Sequence, residues 1–164
     1  MLSRRQLLGV SPLLLILCGC DKPAVLGAPP VPSRQTQVLL DAVTAEQNLV
    51  WLYDKASATY PQLNGALTTL RAEHAAHLAQ LRATVVEPPG KHMPTTVQHQ
   101  PAIGKTQRDA LIQLRGAEQG AVTTLMGRLN GASPSLAQLY ASIAASETTH
   151  VGVLNALTAR ISAK

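Results

Sequence analysis

Glutamate and histidine are the residues of this 164-residue chain whose types and spacing could do chemistry. Four of its five glutamates, Glu46, Glu73, Glu118 and Glu147, fall in long proline-free stretches. Two of them have a histidine about one helical turn further on. His77 is four residues after Glu73 within Glu-His-Ala-Ala-His, and His150 is three after Glu147 in Glu-Thr-Thr-His. Both offsets put the imidazole on the same helix face as its carboxylate. Imidazole nitrogens and carboxylate oxygens converging in one place are ligands for a transition-metal ion. No nucleophile elbow, phosphate-binding glycine loop, His-Glu-x-x-His zinc motif or haem-attaching Cys-x-x-Cys-His occurs, so no haem is expected.

Elements that could bring these groups together are marked by proline. Beyond residue 32, proline occurs at 61, 88, 89, 94, 101 and 134, and four stretches of helical length lie between these positions. The first helix is expected from Ser33 or Thr36 to Thr59. The second begins at Pro61, suited to a first helical turn, and ends near Thr84. The third runs from Thr106 to Leu129, stopped by Asn130-Gly131. The fourth has Ser133 as N-cap and Pro134 in its first position and continues to Ile161. Apolar stripes at helical spacing support each, such as Leu63, Leu67, Leu70 and Leu81 in the second and Leu136, Tyr140, Ile143 and Leu154 in the fourth. Composition agrees: 24 alanines, 25 leucines and no phenylalanine suit close-packed helices and exclude collagen-like, disulfide-scaffold and disordered classes.

Short turns at Tyr60-Pro61 and at Asn130 to Ser133 make two antiparallel hairpins. Between them, residues 86–105 are long enough to run the length of a bundle, at ~3.3 Å per residue. The expected fold is all-α, a four-helix bundle of two antiparallel hairpins joined by a long crossover, spanning residues 33–164.

Each helix holds one glutamate, and each glutamate fills a gap in its apolar stripe, so all four are expected to face inward. Glu46 and Glu73 lie 14 residues before and 13 after Tyr60, both ~20 Å from that turn at 1.5 Å per residue. Glu118 and Glu147 are similarly matched about Gly131. Four buried carboxylates without counter-charge would cost several kcal/mol each or take up protons. A cation resolves that cost.

This pattern resembles the ferritin-like di-iron carboxylate proteins, with Glu on the first and third helices and Glu-x-x-His on the second and fourth. Within that superfamily it looks closest to an uncharacterised bacterial ferritin-like domain family of exported proteins, through the Ala-Glu-His-Ala-Ala-His segment. The resemblance implies a metal set of Glu46, Glu73, His77, Glu118, Glu147 and His150, holding one or two ions of iron or manganese. Glu46 and Glu118 would be terminal ligands, and Glu73 and Glu147 bridging ones. The second helix departs from the pattern, because position 76 is Ala, His77 comes one residue late and His74 two early. A mononuclear site, or a bundle that has lost its metal and serves as a structural or interaction module of the cell surface, stays open beside the dinuclear one. A third reading is a peroxide-scavenging di-iron oxidase.

Other residues carry plainer alternatives. Arg115 could pair with Glu118 in an internal salt bridge. Tyr53 and Tyr140 fit the core, or a position facing the site. Gly116 and Gly120 flank Glu118 and read as tight helix packing or as room for a ligand. Lys91-His92-Met93 and His99 in the crossover have ligands that suit copper.

Residues 1–19 read as a cleavable lipoprotein signal, with Arg4-Arg5 before the short apolar run 13–17 and Leu17-Cys18-Gly19-Cys20 after it. The paired arginines also resemble a twin-arginine signal. Cys20 would be lipidated, anchoring the exported chain to the outer face of the bacterial cell membrane through a Pro-rich tether at 20–32. Loss of Arg4 and Arg5 takes the formal charge from +5 to +3. With no basic run interleaved with aromatics, nucleic acid is not an expected partner. A homo-oligomer is left open.

Overall fold

The computed structural model describes residues 33–85 and 102–163. The signal, the tether with Cys20, and crossover residues Glu87, His92, Met93 and His99 lie outside them. Four α-helices form among the described residues, with no strand: α1 Arg34–Thr59, α2 Asn64–Thr84, α3 Gln107–Gly127 and α4 Pro134–Ser162.

Local chemistry accounts for the ends. Ser33 caps α1, its hydroxyl accepting from the Thr36 amide at 3.1 Å, and Thr106 caps α3 in the same way from Asp109. Pro61 starts a 3₁₀ turn, Pro61–Leu63, rather than α2 itself. Helix α3 ends at Gly127, two residues before the expected Leu129, and Gly131 takes φ +92° in the turn. Ser133 stands at the N-cap of α4 with extended backbone, but its hydroxyl accepts from Gln35 of α1 instead of capping.

The core has two apolar layers. In one, Leu39 and Val43 of α1 meet Leu81 of α2, Leu125 of α3 and Tyr140 and Ile143 of α4. In the other, Leu52 and Tyr53 of α1 meet Leu67 and Leu70 of α2, Leu111 and Leu114 of α3 and Leu154 of α4. These memberships give the helix directions. Helices α1 and α4 run from the first layer to the second, while α2 and α3 both run from the second to the first. The end of α2 and the start of α3 therefore lie at opposite ends of the bundle. The residues leading into α3 are pinned at the second layer's end: Tyr60 donates to the Gly104 carbonyl at 2.6 Å, and Gln113 accepts from its amide at 2.9 Å.

Between the two layers every helix breaks its apolar stripe with polar residues. Glu46, His74, Glu118, Glu147 and His150 are buried there. Glu73 is not in this set. Its side chain is 45% exposed, against the expectation of an inward glutamate. The reason is periodicity. Leu67, Leu70, His74, His77 and Leu81 continue a three-four spacing without a break. Glu73 falls about 80° from the centre of that stripe at 3.6 residues per turn.

Candidate metal centre

His74 is the hub of the polar layer. It is fully buried and lies between two carboxylates, with Nδ1 donating to Glu46 Oε2 at 2.9 Å and Nε2 to Glu118 Oε1 at 2.8 Å. Burial alone would pull its pKa down. The bonds to Glu118 and Glu46 outweigh burial and hold it up at about 9, so in the metal-free protein the ring is an imidazolium.

Glu118 is the better satisfied of the two carboxylates. Its Oε1 accepts from Tyr53 at 2.5 Å and His150 Nδ1 at 3.2 Å, in addition to His74. Burial pushes its pKa up, but the His150 and His74 hydrogen bonds win and hold it at about 2. The Tyr53 phenol is raised by burial and by the Glu118 charge. His150 in turn meets Glu73 through Nε2 at 2.9 Å, and Ser146 also donates to that carboxylate at 2.8 Å. Those two bonds hold the Glu73 carboxylate below its ordinary value.

The opposite side of His74 is less complete. His77 Nδ1 stands 3.5 Å from Glu46 Oε1, and neither atom has a hydrogen-bond partner. The Glu147 carboxyl lies against that of Glu46 with its Oε2 unpartnered. Burial and the charges of Glu46 and Glu118 push Glu147 up to about 9, so it holds a proton at neutral pH. Glu46 itself is lowered, because the hydrogen bond and charge of His74 and the nearby His77 ring outweigh its burial.

Two three-residue groups thus offer ligand atoms within 4.8 Å of one another: Glu46, His74 and His77, and His74, Glu118 and His150. Each has two imidazoles and one carboxylate, and both use His74. The five residues from the expected set that share the layer are Glu46, His77, Glu118, Glu147 and His150, and Glu73 reaches it from the flank through His150. His74 and Tyr53 were not in that set. His74 was legible as the next member of the three-four stripe, and the helix-two pattern reads without a gap as His74-Ala-Ala-His77 beside Glu147-Thr-Thr-His150. Tyr53 was legible as two turns after Glu46 but not distinguishable from core.

The other readings resolve as follows. Arg115 bonds Asn155 of α4 at 3.1 Å, leaving Glu118 to the histidines and Tyr53. Tyr140 packs in the first apolar layer, its hydroxyl buried and unpartnered. A Cβ at Gly116 or Gly120 would meet nothing within 4 Å, so tight packing is not why either is glycine. Gly120 instead borders a cleft of about 340 Å³ between α1 and α3, with Glu46 and Glu147 among its lining.

Compared with models of protein families, with curated proteins and with solved structures, the chain gives no significant match.

Proposed function

We propose that this chain is an exported, lipid-anchored, ferritin-like metal protein that binds iron or manganese through its core carboxylate and histidine layer. The observation that carries the reading is the set of buried, unpartnered ligand atoms. Glu46 Oε1, Glu118 Oε2 and Glu147 Oε2 are enclosed without hydrogen-bond partners, beside His77 Nδ1 in the same condition. Unsatisfied buried carboxylate oxygens are costly, and a cation between them removes the cost. Mixed carboxylate and imidazole ligands suit iron and manganese. The helix directions support the ferritin-like assignment, since two hairpins whose inner helices run parallel need one long crossover. Export and lipidation rest on the signal and Cys20 read from the sequence.

One observation favours a second reading, a metal-free structural or interaction module. An imidazolium at His74 lies between Glu46 and Glu118, and His150 also faces Glu118, so both carboxylates have positive partners without any ion. The test is metal retained by full-length protein after exposure to iron(II) and to manganese(II), compared with Glu46→Ala. Stoichiometric metal lost in the variant supports metal binding. Substoichiometric metal in both supports the module.

A further inference from the structure

The two sides of His74 differ in what they lack. Around Glu118, hydrogen bonds from Tyr53, His74 and His150 converge on Oε1, so that Oε2 alone is left without a hydrogen-bond partner, and the second nitrogen of His150 meets Glu73. Around Glu46, three potential ligand atoms have no hydrogen-bond partner: Glu46 Oε1, His77 Nδ1, which faces it at 3.5 Å, and Glu147 Oε2. Glu46 and Glu147 are 2% and 1% exposed. These two carboxylates also line the α1–α3 cleft, which Glu118 and His150 do not.

A neutral imidazole gives one lone pair, so His74 serves one ion at a time. A two-metal carboxylate site at about 3.5–4 Å separation calls for bridging carboxylates. Here His74 occupies the inward position on α2, and Glu73 is half exposed at the flank. From this geometry we infer that the chain binds a single divalent cation, held by Glu46, His74 Nδ1, His77 and Glu147 on the cleft side, with Glu118, His150, Tyr53 and Glu73 as the network that orients His74. This inference rests on the metal-binding reading above and specifies its stoichiometry and ligands. In that arrangement His74 Nε2–H donates to Glu118, the carboxylate–histidine–metal relation that fixes an imidazole's tautomer and orientation. Metal binding takes the proton from His74 Nδ1 and that of Glu147, both to solvent.

The test loads full-length, chelator-stripped protein with manganese(II), counts bound metal per chain and records its electron paramagnetic resonance. One ion per chain with the six-line signal of an isolated manganese(II) is expected. His77→Ala loses the ion while its circular dichroism stays that of the wild type, and His77→Leu, which refills most of the space of this largely buried ring, loses it as well. Glu73→Ala, at an exposed flank, keeps one ion with affinity lowered by no more than about 10–100-fold, the range for a supporting residue. Two ions per chain with a spin-coupled spectrum, or Glu73→Ala losing metal as completely as His77→Ala, would overturn the single-ion site while leaving metal binding intact. No ion in the wild type would overturn both.

Discussion

At the residue scale, His74 and His77 are three positions apart yet do different work, and their substitution separates charge compensation from ligation. In the metal-free protein His74 is the counter-ion of two buried carboxylates. Removing one partner of a buried ion pair costs about 3–5 kcal/mol. His74→Ala is therefore expected to destabilise the chelator-treated protein by that amount in denaturant unfolding. His77 makes no hydrogen bond through Nδ1 in the metal-free protein, so His77→Ala should cost only the packing of a largely buried ring, less than His74→Ala, while abolishing metal retention. The pH dependence follows from the same groups. His74 is raised to about 9, so its contribution is full below pH 6.5 and is lost as pH rises towards 9. Glu147, also raised to about 9, adds a growing cost from pH 4.5 up to 9. Glu118 is lowered to about 2, and its contribution is lost as pH falls from 4.5. Metal-free protein should thus melt highest in weakly acidic buffer and fall through pH 9, while metal affinity rises with pH as ligands deprotonate. Melting curves in chelator across that range check it, and a melting temperature that climbs towards pH 9 would contradict it. Glu46, Glu118, Glu147 and His150 were legible because polar residues interrupting an apolar stripe are conspicuous. His74 was obscured by reading the motif from its neighbour Glu73.

At the scale of the elements, two glycines predict opposite outcomes. A Cβ at Gly104 would come within 2.5 Å of the backbone of Asp109 and Ala110, where the chain folds over the start of α3. Gly104→Ala should cost about 1–3 kcal/mol, the range for overpacking. Gly116 lies exposed within α3 with open space around the missing Cβ. Gly116→Ala should stabilise by up to ~1 kcal/mol, because alanine is the better helix former. Thermal unfolding of the two variants reads both signs. Helix limits were legible to within about two residues from proline, Ser33 and Thr106. Pro61 starting a 3₁₀ turn and α3 stopping at Gly127 were not, since both depend on how each turn packs against its neighbours.

At the scale of the whole molecule, the polar layer works because it lies between two apolar ones. The layers align the helices, and the shared level of Glu46, His74, Glu118 and Glu147 follows. That level was legible from similar counts of residues on either side of the two turns, made on the second helix from Glu73, the neighbour of His74. The cleft between α1 and α3 was not, because the separation of helices distant in sequence is a product of packing that no local pattern carries. It makes the Glu46 side of His74 the accessible one, and the most direct measurement exploits this. Crystals grown with manganese(II) should show, at the manganese absorption edge, a single anomalous peak in the core within bonding distance of Glu46, His74 Nδ1, His77 and Glu147. A core without a peak, or a peak bonded to Glu118 and His150, would contradict the account.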